Sequence, residues 1–144
     1  MKTLNHMTRA LLVGATLIGS LALPAAAHSA DKSKVVIQVS DNDPAKWNLA
    51  LNNAKNIQKD VGTDNVVIEI VAFGPGVNML KAESEVGNRI GDAVDTGVQV
   101  NACQNTMRNF KLSKEDMNTK VGYVPSGVVE IMRRQQEGYS YLRP

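Results

Sequence analysis

Residues 65–76 read Asn65-Val-Val-Ile-Glu-Ile-Val-Ala-Phe-Gly-Pro-Gly76, and this stretch decides the fold class. Its β-branched apolar residues predict a strand, and Gly74-Pro75-Gly76 stops that strand because glycine and proline punctuate regular structure. A similar run at Lys34–Ser40 predicts an earlier strand that is covered on both faces. Such mostly apolar strands are typical of parallel sheets with helices on both sides.

Helical patterns separate the predicted strands. Asp43 followed by Pro44 is typical of a helix start, and Gly62 ends that first helix. Ser84 is expected to cap a second helix that runs to about Thr96. The remaining predicted elements are a strand at 98–102, a helix at 105–110, a cap at Ser113, a helix at 127–137 and a final strand at 139–143. The order β-α-β-α-β-α-α-β indicates a single parallel α/β domain with helices on both faces.

The N-terminus has the three parts of a secretory signal. Lys2 and Arg9 give a positive start, residues 10–23 form an uncharged apolar run, and Pro24-Ala-Ala-Ala27 supplies small residues for cleavage. The apolar run has 14 residues, whereas a membrane-spanning helix needs about 20. The pattern therefore favours a cleaved signal over residues 1–27, and export to the periplasm, over a retained membrane anchor.

The chain that remains, residues 28–144, has 117 residues, which is the size of one ordinary domain. Loss of Lys2 and Arg9 leaves 14 basic and 14 acidic side chains, so its formal net charge is zero. Nucleic-acid-binding domains carry a basic patch or stripe. We therefore expect no nucleic-acid partner, and no membrane association after signal cleavage.

Histidine and cysteine are both scarce. His6 leaves with the signal and His28 stands at the new N-terminus, which excludes hydrolases with a histidine base, His-ligated zinc sites and haem attachment through C-x-x-C-H. Cys103 is the single cysteine, so no internal disulfide can form. A lone thiol is either buried and inert or exposed and reactive.

The carboxyl ends of the predicted strands are where ligands bind in open α/β sheets. They fall at residues 40–43, 73–76 and 103–108. Cys103 is the best candidate for chemistry, because a thiol between a strand end and a helix start gains from nearby N–H groups. Arg108 follows closely and adds positive charge. The candidate pocket residues at these ends are Ser40, Asp41, Gly74, Pro75, Gly76 and Asn105.

Three other motifs at these strand ends are incomplete. Cys103 and Arg108 have four residues between them and no glycines, whereas a phosphatase loop needs five and glycines that wrap the anion. Gly74-Pro75-Gly76 lacks the spacing of a nucleotide-binding loop. Asp41-Asn42-Asp43 lacks the glycine and glutamate of a calcium loop. We therefore expect neither a cofactor nor a metal.

A redox-sensor role is a further option, although no second cysteine is present to resolve a sulfenic acid.

Five segments together carry a resemblance to a known family. They are Val36-Ile-Gln-Val-Ser-Asp41, Trp47-Asn-Leu-Ala-Leu-Asn-Asn-Ala54, Ile68-Glu-Ile-Val-Ala-Phe-Gly-Pro-Gly76, Asn101-Ala-Cys-Gln-Asn-Thr-Met107 and Tyr123-Val-Pro-Ser-Gly-Val-Val-Glu130. With them the chain resembles the DsrE/DsrF-like family, in an exported branch. The resemblance implies a Rossmann-like or flavodoxin-like α/β domain that assembles into homo-trimers or hexamers. It also implies that Cys103 takes the place of the family's sulfur-carrying cysteine.

Two hypotheses about function follow. In the first, the protein handles sulfur in the periplasm: Cys103 takes a sulfur atom from a donor, holds it as a persulfide and passes it to an acceptor thiol, and Arg108 stabilises negative charge nearby. In the second, the protein is a non-catalytic oligomeric binding module. Cys103 is then a buried structural residue, and the edge at 73–76 lines a small-ligand pocket between subunits. The sequence leaves open whether the protein is an enzyme.

Overall fold

The computed structural model describes residues 31–144, and the expected signal peptide (residues 1–27) lies outside them. Within the described range, five strands and four α-helices alternate. The strands are β1 (Ser33–Val39), β2 (Val66–Ala72), β3 (Gln99–Cys103), β4 (Gly122–Val124) and β5 (Ser140–Leu142), and the helices are α1 (Pro44–Val61), α2 (Gly87–Asp95), α3 (Gln104–Asn109) and α4 (Gly127–Gln136). Short 3-10 helices at Thr63–Asn65, Gly74–Leu80 and Lys114–Asp116 complete the chain.

All five strands pair in parallel, in the order β4-β3-β2-β1-β5. Successive connections step the chain from β1 to β4 across the sheet. The last connection, through α4, returns it to the opposite edge beside β1. The predicted α/β class, a Rossmann-like or flavodoxin-like parallel sheet with helices on both faces, is therefore confirmed.

The α1/α2 face of the sheet holds most of the hydrophobic core. Because side chains alternate along a strand, every second residue of β1 and β2 points to this side, including the fully buried Ile37 and Ile70. Helix α1 covers them with Trp47 and Leu51, and α3 adds Met107 to the same cluster. The cluster has 22 buried residues in all.

The α4 face is covered by a single helix over a small apolar cluster. Val36, Val71, Val124 and Ile131 are its four buried members, and Phe73 packs against them. Since α3 belongs to the large cluster and α4 to this one, the two helices lie on opposite faces of the sheet.

Capping residues set the bounds of α1 as the sequence predicts. The Asp43 carboxylate accepts a hydrogen bond from the Ala45 N–H at 2.9 Å, which satisfies a donor that the first helical turn leaves free. Pro44 is the first helical residue, and Gly62 ends the helix with φ +94°, a conformation that glycine adopts without strain.

The predicted start of α2 is wrong, and the predicted order lacks one strand. Helix α2 begins at Gly87 instead of after Ser84, because the chain first makes a turn in which the Gly87 N–H donates to the Ser84 carbonyl. The hydroxyl of Ser84 is buried and has no hydrogen-bond partner in the described residues. The four-strand order also missed β4. With three residues, this strand is too short to show a periodic pattern. It begins with Gly122, where a Cβ would collide with the Asn101 side chain.

Among residues 31–144, no helix is both long and apolar enough to cross a membrane.

Candidate functional site

The ends of β1, β2 and β3 meet at one edge of the sheet, as the sequence predicts. The Gly76 N–H donates to the Ser40 carbonyl at 3.1 Å, which joins the segments after β1 and β2. The Gly74 N–H donates to the Thr106 hydroxyl at 2.9 Å, which joins the segment after β2 to α3. The predicted site segments are therefore neighbours in space.

Cys103 lies at the point where the connections of two neighbouring strands diverge. It is the last residue of β3, and the helix that follows β3 packs on the α1/α2 face. The neighbouring strand β4 is followed by α4, which packs on the opposite face. A crevice outside the strand ends at such a switch point is the usual ligand site of open α/β sheets.

The sulfur of Cys103 accepts hydrogen bonds from the beginnings of two helices. The Thr106 N–H of α3 lies 3.5 Å from Sγ, and the Gly127 N–H, the first of α4, lies 3.2 Å from it. Both groups are among the N-terminal N–H groups that have no partner within their own helix. Cys103 is 4% exposed, so these donors are held around the sulfur largely out of water.

The net effect of this environment is to lower the pKa of the Cys103 thiol. Burial alone raises the pKa, because it penalises the thiolate. Hydrogen bonds, chiefly from the Thr106 hydroxyl and from the backbone N–H groups of Thr106 and Gly127, stabilise the thiolate and outweigh the burial. The thiolate is the nucleophilic form of cysteine, so this environment favours the nucleophilic form of Cys103.

The Thr106 hydroxyl has a defined orientation. Its oxygen accepts from the Gly74 N–H, which leaves the hydroxyl proton available to donate to the Cys103 sulfur. The turn after β2 therefore orients the Thr106 hydroxyl that donates to the Cys103 sulfur. Gly74 has φ +53°, a left-handed conformation that glycine allows at little cost.

Close packing surrounds the first residue of α4. A Cβ on Gly127 would lie 2.9 Å from the Cβ of Phe73, closer than real contacts of this kind. The absence of a side chain therefore lets Phe73 and the start of α4 approach each other, and it keeps the Gly127 N–H on the Cys103 sulfur. Neither Thr106 nor Gly127 was singled out from the sequence, because only the fold brings them to the thiol.

The predicted residues Asn105 and Arg108 stand on the exposed side of α3. The Arg108 guanidinium donates to the Asn105 side-chain oxygen, and the Asn105 N–H donates to the Pro125 carbonyl at 3.2 Å. The hydrogen bonds to the Cys103 sulfur come instead from backbone N–H groups and a hydroxyl. The role of Arg108 beside the sulfur stays a prediction.

Ser40 and Asp41 continue from the end of β1. The Ser40 hydroxyl accepts from the Gln38 amide at 3.1 Å. The Asp41 carboxylate lies 3.2 Å from Lys46 and 3.5 Å from Arg143, and its hydrogen bond with Lys46 is the main reason that its pKa is lowered. Across residues 31–144, no three histidine, cysteine, aspartate or glutamate side chains are arranged to hold a metal ion.

Gly76 brings two backbones together. It is buried, and a Cβ there would lie 2.9 Å from the Ser40 Cα and would collide with the Val39 carbonyl. Pro75 is exposed beside it. A cavity of about 260 Å³ lies elsewhere, between α1 and α2, and its lining includes none of the predicted pocket residues.

Sequence reasoning missed a polar cluster beneath α4. Glu69, in the middle of β2, is fully buried; its carboxylate accepts from the Asn101 amide at 2.7 Å and contacts the Arg134 guanidinium. The signal was visible as one charged residue inside Ile68-Glu69-Ile70, within an otherwise apolar strand. A buried carboxylate requires a partner, but the sequence did not show which residue supplies it.

Comparisons with known proteins agree with this architecture. The model of the DsrE/DsrF-like family matches residues 33–144. A protein of unknown function from Methanobacterium thermoautotrophicum is similar over 78% of this chain and 100% of its own, with 35% identity and a TM-score of 0.75.

Two further solved structures share the fold at lower identity. A conserved protein of unknown function from Bacteroides thetaiotaomicron has 18% identity and a TM-score of 0.65, over 78% of this chain and 95% of its own. The ychN protein from E. coli has 12% identity and a TM-score of 0.62, over 79% of this chain and 99% of its own. No curated protein matched the chain.

Proposed function

Because this chain belongs to the DsrE/DsrF-like family, which is linked to sulfur metabolism, we propose that it carries sulfur as a persulfide on Cys103. The observation that supports the proposal is the pair of N–H groups, from Thr106 and Gly127, that point at the Cys103 sulfur from two helix starts. They stabilise the thiolate that sulfur transfer needs.

The proposed transfer is an exchange between sulfur atoms with no net oxidation or reduction. The Cys103 thiolate attacks the outer sulfur of a donor persulfide, RS–SH. A new S–S bond forms on Cys103, the donor S–S bond breaks, and the donor leaves as the thiolate RS⁻. An acceptor thiolate then attacks the outer sulfur of the Cys103 persulfide and takes it as R′S–SH, which returns Cys103 to the thiolate.

The hydrogen bonds at Cys103 favour both steps. In the first step they hold the attacking sulfur as a thiolate, and in the second they stabilise the thiolate that Cys103 becomes as it leaves. Arg108 has a role in this proposal as an exposed positive charge on α3 that attracts an anionic donor such as thiosulfate or a polysulfide.

The proposed setting is the periplasm, and the proposed working form is a homo-oligomer. Export is inferred from the signal pattern at residues 1–27. A self-associated form is consistent with three exposed apolar side chains on the outer side of α4, Val128, Val129 and Met132, each more than half exposed. Val128 directly follows Gly127, so an interface on this side of α4 would lie next to the thiol.

Thiol titration combined with mass analysis tests the proposal. The alkylation rate of Cys103 in the folded protein is measured against pH, and the intact mass is recorded after exposure to thiosulfate or polysulfide. We expect the thiol to titrate below about 8.5, the ordinary value for free cysteine. We also expect an adduct of about 32 Da, the mass of one sulfur atom, that cyanide removes.

Two variants serve as controls. Cys103→Ser is expected to lose the adduct entirely, while Arg108→Gln keeps the thiol titration but takes up sulfur more slowly from anionic donors. A wild-type thiol that reacts only after unfolding would overturn the proposal.

The burial of Cys103 supports one other candidate function. At 4% exposure the sulfur has little direct access to solvent, which also suits the non-catalytic binding module with a structural cysteine. In that case the folded protein gains no sulfur, and Cys103→Ser alters stability without altering ligand retention.

A further inference from the structure

The carboxylate of Glu69 lies in the centre of the sheet with no access to water. It is fully buried on the middle strand β2, between strands β1 and β3. A charge in such a place is costly unless it is paired and hydrogen-bonded. One carboxylate oxygen accepts from the Asn101 amide at 2.7 Å, and the other contacts the Nε of Arg134 on α4.

Arg134 fastens α4 to the sheet and is itself held from several sides. Its Nε lies 2.9 Å from a Glu130 oxygen, and one terminal nitrogen lies 3.1 Å from a Glu137 oxygen. The guanidinium also lies 5.1 Å from the centre of the Tyr139 ring. Its side chain is 18% exposed. A planar guanidinium held by several acceptors defines both the position and the rotation of the helix that carries it.

Apolar packing alone places α4 weakly. Ile131 is the one buried apolar residue that α4 contributes to the small cluster on its face of the sheet. Three other large apolar residues of the helix, Val128, Val129 and Met132, point away from the sheet and are exposed. The contacts of Arg134 with Glu69 are therefore a specific polar link between α4 and the sheet, in addition to the Gly127 N–H on the Cys103 sulfur.

The same helix carries a hydrogen-bond donor of the proposed site. Gly127 begins α4 and donates to the Cys103 sulfur at 3.2 Å, and Arg134 lies about two helical turns further along the same rigid element. Hydrogen bonds weaken steeply with distance and angle, so a small shift or rotation of α4 would remove this one.

We infer that Glu69 and Arg134 are positioning residues, which hold α4 so that its first N–H stays on Cys103 and keeps the thiol reactive. Neither residue touches the sulfur. The inference rests on the proposed role of Cys103, but it concerns the acidity of the thiol and not the transfer itself.

The test is the pH dependence of Cys103 alkylation in three folded variants. Arg134→Lys keeps the charge but loses the planar fork. We expect the thiol pKa to rise by about one, which lowers the alkylation rate by up to about tenfold at pH values below the wild-type pKa. Arg133→Lys is the matched control. Arg133 is the adjacent arginine and pairs with Glu130 at 2.5 Å and Glu137 at 2.6 Å, without contact to Glu69. This variant should react within twofold of wild type.

A third variant keeps the test decisive if Arg134→Lys folds poorly. The double change Glu69→Leu with Arg134→Met replaces the buried pair by apolar side chains, an exchange that proteins often accept without loss of stability. It should fold and still show the raised thiol pKa. A wild-type titration curve in the folded double variant, or in a folded Arg134→Lys, would reduce the pair to a purely structural role and overturn the inference.

Failure of this inference is distinguishable from failure of the proposed function. Alkylation needs no sulfur donor, so the titration decides the role of Glu69 and Arg134 even in a protein that takes up no sulfur. An unreactive wild-type thiol would overturn both proposals at once, whereas a reactive thiol with no 32 Da adduct (about the mass of one sulfur atom) would overturn the proposed function alone.

Discussion

The two faces of the sheet differ in what holds them together. On the α1/α2 face, 22 buried apolar residues form one continuous core. On the α4 face, four buried apolar residues share the space with the buried carboxylate of Glu69 and the guanidinium of Arg134. The same strands build both faces, because successive side chains of a strand point to opposite sides.

The two faces therefore have different roles: the α1/α2 face mainly stabilises the fold, and the α4 face holds the groups around the Cys103 thiol. Burial of apolar surface is the dominant favourable contribution to folding, so the α1/α2 face supplies most of the stability. The α4 face carries the polar residues of β2 and β3, namely Glu69, Asn101 and Cys103, and the helix start that donates to the thiol. Substitutions on the two faces should therefore change different measured quantities.

The largest expected effect is on stability, from Ile70→Ala on the α1/α2 face. Ile70 is fully buried in the middle of β2, and truncation of such a side chain leaves a cavity that costs about 2–5 kcal/mol of unfolding free energy. Chemical denaturation measures the loss, and the pKa of Cys103 in the folded state should not move. Leu49→Ala, on the exposed side of α1, is the control and should change stability by less than about 0.5 kcal/mol. A shifted thiol pKa in Ile70→Ala would show that the two faces are coupled.

Next in size is Gly127→Ala on the α4 face. The new Cβ would meet Phe73 at 2.9 Å, so either the ring or the start of α4 must move, at a cost of about 1–3 kcal/mol. Displacement of the Gly127 N–H should also raise the pKa of Cys103, because a donor to the thiolate is weakened. Denaturation and alkylation against pH measure the two effects.

Gly87→Ala is the matched control for this variant. Gly87 is likewise the first residue of a helix, α2, and a Cβ there would lie 3.6 Å from the Asn118 side chain, an ordinary contact. The control should keep the wild-type thiol pKa. Equal effects in both variants would contradict a specific role of the α4 start.

The fold was largely predictable from the sequence because its signals are local. The apolar runs of β1 and β2, the Asp43-Pro44 start of α1 and the glycine at its end all act through residues next to each other in the chain. The exceptions had no such signal. Strand β4 is three residues long and is defined by its pairing with β3. The turn after Ser84 is closed by a backbone hydrogen bond from Gly87 to Ser84, which the pattern of residue types does not indicate.

The candidate site was predictable only in part, because its geometry depends on residues far apart in sequence. Cys103 could be located, since a strand end next to a helix start is recognisable in the sequence. Thr106 and Gly127 reach the sulfur only after the chain has placed α3 and α4 on opposite faces. The partnership of Glu69 with Arg134, 65 positions apart, likewise needs the folded structure.

A smaller effect is expected from Thr106→Val, which keeps the shape of the side chain and removes its hydroxyl. The hydroxyl lowers the pKa of Cys103, so its loss should raise that pKa, leave less thiolate at neutral pH and slow alkylation there by a factor of about 3 to 10. The Gly74 N–H also loses its acceptor, which costs about 1–2 kcal/mol of stability. Thr96→Val, on the exposed end of α2, should leave the thiol unchanged. An unchanged thiol pKa in Thr106→Val would show that the backbone N–H groups alone determine its acidity.

The smallest expected effect is the contribution of the Cys103 thiol to the pH dependence of the unfolding free energy. The folded state lowers the pKa of this thiol below the value of about 8.5 in an unfolded chain. The thiolate therefore contributes stability that is fully present above about 8.5 and is lost as the pH falls through the folded-state pKa. The difference in unfolding free energy between wild type and Cys103→Ser should rise with pH across that window and be flat on either side, as measured by denaturant titration at each pH. A difference that falls with rising pH would mean that burial of the thiol outweighs the N–H groups of α3 and α4, and the α4 face would then be structural like its counterpart.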